Sequence, residues 1–383
     1  MTAPRKIAVL GLGRMGEAMA TRLTDQGHDV VGWTRSGRTP DAVKTAADPL
    51  EAVTGADLVL LSLFDGAACR DVLAAVRDAL PAGAPVVNTS TVAPAEAAEL
   101  AALVGADAVH APVLGSVPAV AGGTLQILAA GGEAALDRAR PVLEALGTVR
   151  ETADAETAAA LKLIANNSLA GAVLALRDSL RQADALGLPR EQALDVLGLG
   201  QLGGLVTRKR PYLLGERRAA EFTLGALAKD SDLLADASRL PLRSAAGLTD
   251  GAAGPDDDFA VAATEPAVPD EVLEPLRAYV RGHATGDPAH FRDAFLPTAH
   301  VEGVRDGVFT SWPLDTYCAL FHGTPAPDEP TRLRRVDAVT VHGTVATATM
   351  SLFHGPDTFT DVFLLVRTDD TWRIANKAYH RHT

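Results

Sequence analysis

The spacing of hydrophobic and polar positions changes character twice along the chain. From residue 6 to about residue 150, short apolar or β-branched runs alternate with alanine-rich stretches; the runs are KIAVLG, DVVGW, LVLLSLF, APVVNTS, AVHAPV and TLQILAAG. Runs of this kind between helical stretches are typical of parallel strands that helices cover on both faces. The first region therefore predicts an α/β domain with a parallel sheet over residues 1–153.

The strand-like runs disappear between residues 154 and 240. The segment DAETAAALKLIANNSLAGAVLALRDSLRQADALGL predicts one helix of about 30 residues, 155–186, which Gly187 and Pro189 end. Further helices are predicted as far as KDSDLLADASRL. These features predict an all-helical domain over residues 154–262, built around a long central helix.

A third pattern begins after a segment rich in Gly, Pro and Asp, 248–272, which we interpret as the end of one unit and a linker to the next. A helix, DEVLEPLRAYVRGH, is followed by four long segments in which apolar and polar residues alternate. Alternation with period two, interrupted by turn signals at HG and DD, is typical of antiparallel strands. An α+β domain is therefore predicted over residues 268–383.

Composition narrows the classes of function. The chain has 383 residues, 47% hydrophobic, and a formal net charge of −13, with no basic cluster longer than TRKRPY (207–212). Such a charge disfavours nucleic acid and anionic membrane surfaces as partners. No run approaches the roughly 18 apolar residues of a membrane span. Cys69 and Cys318 provide no thiolate metal site, so we expect a cytoplasmic protein without a metal.

A glycine-rich motif lies between the first predicted strand and helix. In GLGRMG, Gly11 permits a tight turn, Gly13 lets the backbone approach a pyrophosphate, and Gly16 allows close packing of helix on strand. The order of strand, motif, helix and strand makes this a Rossmann dinucleotide site. The loop residues expected at the cofactor are Gly11, Leu12, Gly13, Arg14, Met15 and Gly16.

The end of the second predicted strand indicates which cofactor is bound. About 20 residues after the motif, where NAD sites place an acid, the chain has Thr34, Arg35 and Ser36. A guanidinium with neighbouring hydroxyls binds a 2′-phosphate, so NADP (NADPH) is predicted over NAD. The alternative is that Arg35 is solvated and that an acid such as Asp41 serves the ribose.

One lysine stands out on the long helix. Lys162 and Asn166 are four residues apart and therefore share a helical face, whereas Leu161 and Leu163 point elsewhere. Such a face is either solvated or chemical. If it borders a partly dry cleft, the lysine becomes a better acid and can protonate an alkoxide formed by hydride transfer.

Several segments together resemble the β-hydroxyacid dehydrogenase family, which includes 3-hydroxyisobutyrate dehydrogenases and glyoxylate and succinic semialdehyde reductases. The segments, in the family's order over about 1–262, are GLGRMGEAMATRLTDQGHDV, VVNTSTVAP, APVLGSVPAVAGGTLQILAAG, KLIANN and FTLGALAKDSDLLA. The resemblance implies an NADPH-dependent oxidoreductase that interconverts a small carbonyl compound, an aldehyde or oxo acid, and a hydroxy acid.

The resemblance also assigns roles to residues. Lys162 matches the family's catalytic acid/base, and Asn166 matches the residue that positions it and the substrate. The substrate loop is then Leu114, Gly115 and Ser116, with Leu63 and Thr91 beside the cofactor. Lys229 is expected to approach cofactor or substrate; alternatively it is an exposed lysine paired with Asp230 or Asp232.

Some positions depart from the family pattern. The substrate loop has Leu114, Gly115 and Ser116 where many relatives have Ser-Gly-Gly, and His110 stands where they commonly have an acid. Imine reductases share the architecture but generally lack a lysine at the position of Lys162. An imine reductase-like or natural-product tailoring reductase is therefore the alternative enzyme. A non-enzymatic NADP-binding scaffold or sensor is the alternative outside catalysis.

The C-terminal region resembles the lumazine-binding-like branch of the nuclear-transport-factor-2-like superfamily, through LRAYVRGHATGDPAHFRDAFLPTAHVEGVRDGVF and WRIANKAYHRH. The resemblance implies a cone that encloses a pocket and dimerises through an open sheet face, so a homodimer is expected. The residues considered for lining the pocket are His300, Asp315, Tyr317, Asp361, Trp372 and His380. Assembly, binding of a second small ligand and a second active site for an isomerase or cyclase all stay open.

Overall fold

The computed structural model describes residues 4–38, 40–216, 218–240, 254–264, 269–305, 307–354 and 357–382. The chain divides into two compact units, Met1–Glu265 and Pro266–Thr383. The first unit contains both the α/β region and the helical region that the sequence predicts as separate domains.

The first unit is built on a sheet whose strands run in the order β3-β2-β1-β4-β5-β6-β8-β7, with β9 beside β8. The strands are β1 Lys6–Leu10, β2 Asp29–Trp33, β3 Lys44–Thr45, β4 Leu58–Leu61, β5 Val86–Asn88, β6 Ala108–His110, β7 Val113–Leu114, β8 Leu125–Gly131 and β9 Gly147–Glu151. Strands β1 to β6 are mutually parallel, and β8 runs antiparallel to β6 and β7. Chain order reverses between β1 and β4, which is where doubly wound sheets bind ligands.

Helices cover both faces of this sheet: α1 Arg14–Asp25, α2 Pro49–Val53, α3 Gly66–Val76, α4 Pro94–Val104, α5 Val117–Gly122 and α6 Glu133–Leu146. Along β1, Ile7 and Val9 belong to one hydrophobic core, whereas Ala8 and Leu10 belong to the core on the opposite face. Alternate residues of a strand point to opposite faces, so a run that is apolar throughout needs cover on both. The predicted Rossmann fold is confirmed.

The helical region consists of α7 Ala155–Ala185, α8 Arg190–Leu199, α9 Gly203–Leu213 and α10 Leu224–Ser238, followed by a 3₁₀ helix, Phe259–Thr264. At the start of α7, the Asp154 carboxylate accepts a hydrogen bond from the Thr157 amide, and Gly187 has a φ of +69° just beyond its end. By length and composition α7 also passes as a membrane span, with 39% of the relevant window buried inside the unit. Core helices of soluble proteins commonly pass the same test.

Within the segment 248–272, interpreted as the end of one unit and a linker, residues 254–264 belong to the first unit. Phe259, Ala260 and Ala262 are buried in the core that α7, α9 and α10 share, and Asp258 is buried beside Lys209. Burial of these side chains outweighs the loop-like composition of the flanking sequence. Residues 248–253 and 265–268 of that segment lie outside the described residues.

The second unit has a sheet in the order β11-β10-β15-β14-β13-β12, packed by helices. The helices are α11 Asp270–Thr285, α12 Pro288–Ala294 and α13 Leu314–Cys318, with a 3₁₀ turn, Glu329–Thr331. The strands are β10 His300–Arg305, β11 Val308–Pro313, β12 Leu333–His342, β13 Val345–His354, β14 Asp357–Thr368 and β15 Thr371–His382. All neighbours are antiparallel except β10 and β15.

One face of this sheet encloses the core of the second unit. Register shifts between Val336 and Ala338 and between Leu364 and Leu365 mark irregularities that curve a sheet. Tyr279 of α11 and Phe363 of β14 are fully buried within it. The predicted α+β cone is confirmed, and the turn predicted at DD has both Asp369 and Asp370 at positive φ.

Candidate active site

A cleft of about 990 Å³ opens in the first unit at the carboxyl ends of β1, β4 and β5, facing α7, α9 and α10. It brings together most of the residues predicted from the sequence: Gly13, Arg14, Met15, Leu63, Thr91, Leu114, Gly115, Ser116, Lys162, Asn166 and Lys229. Gly11, Leu12, Gly16, Thr34, Arg35 and Ser36 do not line it.

The three glycines of the motif have different surroundings. Gly11 has a φ of +104°, and a Cβ there would lie 2.3 Å from the Ser62 carbonyl oxygen. A Cβ on Gly16 would lie 1.8 Å from the Gly11 carbonyl oxygen, so helix α1 can approach only without a side chain. A Cβ on Gly13, by contrast, would meet nothing within 4 Å. The open space at Gly13, on the amino end of α1, fits a dinucleotide pyrophosphate.

Leu12 is a core residue rather than a wall of the cleft. Its side chain is buried against Gly32, where an added Cβ would lie 2.7 Å from a Leu12 methyl group. The Leu12 carbonyl accepts a hydrogen bond from the Arg38 guanidinium at 2.7 Å, and Arg38 also pairs with Glu17. Arg38 thus fixes the glycine-rich loop, a contact the sequence did not indicate.

The residues predicted to select the cofactor follow directly after β2. Arg35 is exposed, and the hydroxyls of Thr34 and Ser36 lie 3.4 Å apart. Because β2 is the neighbour of β1, this segment and the glycine-rich loop lie on the same edge of the sheet. The Arg38 guanidinium, also exposed, is bonded to the Leu12 carbonyl and Glu17, whereas among the described residues Arg35 has no such bond.

A hydrogen-bonded network occupies the wall of the cleft formed by α7 and α10. The Lys162 ammonium donates to the Asn166 side-chain carbonyl at 3.1 Å, and the Asn166 amide donates to Asp230 Oδ2 at 2.6 Å. Asp230 Oδ1 pairs with Lys229 at 2.9 Å. A neutral amide therefore separates the Lys162 ammonium from the nearest carboxylate of the network.

Burial changes the acidity of Lys162, whose exposed fraction is 7%. Desolvation lowers the pKa of Lys162 from 10.5 to about 8, with nearby Asp230 opposing and Lys229 assisting the change. This lysine exchanges its proton near neutral pH, as an acid/base catalyst requires. The solvated alternative for the helical face is excluded.

Lys229 reaches from α10 to the loops that follow two neighbouring strands. Its ammonium donates to the backbone carbonyls of Phe64 and Thr91, at 3.0 Å each, and lies 5.1 Å from the centre of the Phe64 ring. It also pairs with Asp230, as the alternative interpretation has it, but on the wall of the cleft rather than on a solvated face.

The predicted substrate loop lies at the end of β7. Gly115 has a φ of +133°, and a Cβ there would lie 2.7 Å from a Leu125 methyl group. Ser116 is the residue before helix α5, and both line the cleft. A side chain at position 115 would therefore disturb the loop, and its absence leaves the backbone accessible.

Sequence reasoning missed two groups of charged residues on this cleft. Asp230, 2% exposed, appeared only as a partner of Lys229; its place directly after that lysine in LAKD was the available signal. The Lys209 ammonium donates to Asp258 at 2.7 Å and to Glu221 at 3.0 Å. Nothing in TRKRPY distinguishes the buried Lys209 from its neighbours.

His110 lies outside the cleft. Burial lowers the pKa of His110 to about 4, so its side chain is neutral at pH 7. The family resemblance implies an acid at this position. It is the register partner of Asn88, and the two residues line a small void of about 10 Å³. Within the described ranges, neither ring nitrogen of His110 has a hydrogen-bond partner.

The residues considered for a pocket in the second unit do not come together. Tyr317, Asp361 and Trp372 are buried, but Trp372 pairs with Arg367 near the other end of β14 from Asp361. His300, Asp315 and His380 are exposed, Asp315 by 91% of its side chain. His380 is the partner of Thr360, so it faces away from Asp361.

Asp361 instead belongs to a buried cluster in the second unit. It accepts a hydrogen bond from the Tyr279 hydroxyl at 2.7 Å and pairs with Lys377 at 2.8 Å, while Lys377 also donates to Tyr279 at 2.6 Å. The Tyr317 hydroxyl lies 2.9 Å from His283 Nε2. In the described part of the chain, no group of three or more His, Cys, Asp or Glu side chains is placed to hold a metal.

Known proteins resemble both units. Residues 6–158 match the family model described as the NAD binding domain of 6-phosphogluconate dehydrogenase, and residues 267–380 match the one described as "Putative lumazine-binding". Over 204 residues the chain is 35% identical to a "Probable 3-hydroxyisobutyrate dehydrogenase" of Mycobacterium tuberculosis, which covers 50% of this chain and 68% of that protein. It is 28% identical over 262 residues to the human "Cytokine-like nuclear factor N-PAC", covering 64% of this chain and 47% of that protein.

Among solved structures, the Mycobacterium tuberculosis 3-hydroxyisobutyrate dehydrogenase with L-serine has a TM-score of 0.59 and 27% identity, covering 68% of this chain and 98% of that one. A Rossmann sheet whose glycine-rich cleft faces a long-helix domain defines an NAD(P)-binding oxidoreductase. The chain belongs to the 3-hydroxyisobutyrate dehydrogenase family, that of the β-hydroxyacid dehydrogenases, and a lumazine-binding-like unit follows its dehydrogenase part.

Proposed function

We propose that this protein is an NADPH-dependent reductase of a small aldehyde or oxo acid, with Lys162 as the general acid/base. The observation that carries the proposal is the state of Lys162: a lysine on the wall of the cleft, 7% exposed, whose ammonium is bonded to a neutral amide. A positioned acid of suitable pKa contributes a factor of about 10²–10⁴ to the rate of such a reaction.

The cofactor would lie along the open backbone at Gly13, with its pyrophosphate at the amino end of α1. NADPH supplies the hydride when bound. Lys162 donates a proton to the carbonyl oxygen as negative charge develops there, and in the reverse direction the neutral amine removes the hydroxyl proton. Asn166 fixes the direction of the Lys162 side chain, and Asp230 in turn fixes Asn166.

The substrate carboxylate would bind the loop Leu114–Gly115–Ser116, where accessible backbone amides and the Ser116 hydroxyl can donate to it. Leu63 and Thr91 would flank the nicotinamide, because both line the cleft at the ends of β4 and β5. Asn166 offers the substrate a hydrogen bond without adding charge.

The test of the reaction is NADPH oxidation with glyoxylate, succinic semialdehyde and larger ketones. Lys162→Met is expected to lower kcat by about 10²–10⁴-fold while leaving NADPH binding nearly unchanged. Lys44→Met is the control, since it removes an exposed lysine that does not line the cleft. Full turnover in Lys162→Met, or no turnover of any carbonyl by the unaltered protein, contradicts the proposal.

Cofactor choice is tested at two neighbouring arginines. Arg35→Ala is expected to weaken NADPH binding by about 10–100-fold and NADH binding much less, because a 2′-phosphate loses a charged hydrogen bond. Arg38→Ala, which removes a loop contact, should weaken both cofactors alike. Fluorescence titration of each variant measures the constants; equal losses for both cofactors in Arg35→Ala would remove the 2′-phosphate assignment.

Two other functions make different predictions. An imine reductase-like or tailoring enzyme would consume NADPH with cyclic imines or larger biosynthetic ketones and not with small oxo acids; the presence of Lys162 favours carbonyl chemistry. A scaffold or sensor would bind NADPH and consume none. The similarity to a protein named as a nuclear factor supports this scaffold or sensor hypothesis.

For the second unit we propose an accessory role, dimerisation or ligand binding, within a cytoplasmic homodimer. Val362 and Leu364 of β14 are 46% and 42% exposed and lie on the face opposite to the buried Phe363. Apolar residues on an open sheet face favour contact with another copy. Val362→Lys with Leu364→Lys should give a monomer in sedimentation, whereas Leu199→Lys, on the exposed surface of α8, should not.

A further inference from the structure

The cleft is positively charged although the protein is acidic. Its charged lining comprises the cations Arg14, Lys162, Arg208, Lys209 and Lys229 and the carboxylates Glu221 and Asp230. The chain as a whole has a net charge of −13. Positive charge concentrated in the cleft of an acidic protein attracts anionic ligands to that cleft.

Most of these cations already have partners. Lys209 is bound by Asp258 and Glu221, and Lys229 by Asp230. Arg14, on the first turn of α1, lies at the proposed pyrophosphate site. Both carboxylates of the lining are therefore bonded to lysines. One guanidinium of the lining is left without a carboxylate partner there.

Arg208 is that guanidinium. Arg210, two residues further along α9, pairs with Asp195 of α8 at 2.6 Å. No carboxylate is paired with Arg208 anywhere in the residues that the structure describes. An exposed cation that lines a cleft, between two neighbours that are neutralised, is available to a ligand.

The position of Arg208 places it on a different wall from the substrate loop. Arg208 belongs to α9, and its Nη1 lies 3.5 Å from where a Cβ of Gly204, one turn earlier, would be. The guanidinium therefore lies along the first turn of α9, next to a wall that also contains Phe222 and Phe259. The volume of 990 Å³ is shared by the cofactor, at Gly13, and the substrate, and Arg208 lies on the wall opposite to the glycine-rich loop's own helix, on α9.

We propose that Arg208 binds a second anionic group at the distal end of the substrate, so the preferred substrates are oxo acids that carry another carboxylate or a phosphate. This inference rests on the proposed function, since the first carboxylate and the carbonyl lie at Ser116 and Lys162. Guanidinium groups bind planar or tetrahedral oxyanions through paired hydrogen bonds. Arg208 on α9 thus determines which substrates bind, and Lys162 on α7 transfers the proton.

The kinetic test compares substrates of matched length. 2-Oxoglutarate carries the second carboxylate that 2-oxopentanoate lacks, and 3-phosphooxypyruvate supplies a phosphate. Arg208→Ala should raise KM for the dianionic substrates by about 10–100-fold with little change in kcat, and leave 2-oxopentanoate unaffected. Arg208→Lys should lie in between, because it keeps the charge without the paired donors. Arg210→Ala is the matched control and should change none of these constants.

A binding measurement separates this inference from the proposed function. Glutarate and pentanoate are titrated calorimetrically into the protein with NADP present, which needs no turnover. If no carbonyl is reduced but glutarate binding still depends on Arg208, the reductase assignment fails and the anion site stands. Equal constants for glutarate and pentanoate, equal losses for both in Arg208→Ala, or a loss confined to NADPH would overturn the inference.

Discussion

Two buried lysines, one in each unit, have opposite surroundings. Lys162 is 7% exposed, borders a cleft, and donates to the neutral amide of Asn166. Lys377 is 5% exposed and is bonded directly to the Asp361 carboxylate and the Tyr279 hydroxyl. Desolvation lowers the pKa of both, to about 8 for Lys162.

The two lysines differ in the group that is bonded to the ammonium and that opposes the effect of its desolvation. Lys377 has an anion at 2.8 Å, which is also among the groups that raise the pKa of Tyr279. Lys162 has an amide at that position, and the Asp230 carboxylate lies beyond it. A lysine bonded to a buried carboxylate forms an ion pair whose disruption destabilises the fold, whereas a lysine bonded to a neutral amide has no charge beside it to oppose desolvation.

The largest expected effect is on the stability of the second unit. Lys377→Met leaves the Asp361 carboxylate buried without a cation, which should cost about 3–5 kcal/mol of unfolding free energy. Hydrogen exchange of the β14 amides during denaturation measures it. The double variant Lys377→Met with Asp361→Leu should regain most of the loss; a single variant as stable as the parent would show that the pair does not hold the unit together.

Lys162→Met should act in the opposite direction. Lowering its pKa from 10.5 to about 8 means that burying the charge costs about 3 kcal/mol at pH 7, at about 1.4 kcal/mol per unit. Loss of the hydrogen bond to Asn166 costs the variant about 1 kcal/mol, so its unfolding free energy should be higher by about 2 kcal/mol in total.

The gain from Lys162→Met also depends on pH. It should be complete below pH 8, where the folded parent protein buries a charge, and should shrink between pH 8 and 10.5 as the folded lysine loses its proton. Hydrogen exchange of α7 amides tests this. A destabilised variant at pH 7 would mean that the ammonium is better solvated than its burial indicates.

The pH dependence of catalysis tests whether Lys162, unlike Lys377, takes part in proton transfer. Reduction needs protonated Lys162, so kcat/KM should be constant below about pH 8 and fall above it, because the pKa of Lys162 is about 8. Oxidation of the hydroxy acid needs the neutral amine and should rise through the same pH. Profiles that share no inflection near pH 8 would argue for another acid.

The smallest expected effect is a displacement of that inflection. The Asp230 charge raises the pKa of Lys162, so Asp230→Asn should move the inflection of the reduction profile to lower pH. Asp258→Asn is the control, because Asp258 is bonded to Lys209 rather than to the Lys162 network. An unmoved inflection in Asp230→Asn, or equal movement in both variants, would contradict the electrostatic account.

Features that depend on local sequence could be predicted. The long helix was expected at 155–186 and is Ala155–Ala185, since the Asp154 cap and the left-handed Gly187 lie at its ends in the sequence itself. Four strands were expected from alternation alone and were found. The glycine roles followed from the motif, because the steric reason for each glycine lies within one strand, turn and helix.

Features that depend on distant contacts could not. Asn166 and Asp230 are 64 residues apart, and their bond exists because α10 packs on α7. The burial of Phe259 against α7, α9 and α10 could not be predicted, because the composition of 248–272 does not reveal a neighbouring core. His380 and Asp361 were grouped by type, yet strand register places His380 opposite Thr360 and therefore on the other face.

The Lys229 ammonium ties three parts of the first unit at one point. It bonds to the carbonyls of Phe64 and Thr91 on the sheet side and to Asp230 on α10. Widening the gap between sheet and helices must break those carbonyl contacts, whereas Lys229, Asp230 and Asn166 would move together, because α10 packs on α7. An opening of the cleft would therefore cost the two carbonyl contacts of Lys229 and would leave the bonds among Lys162, Asn166 and Asp230 intact.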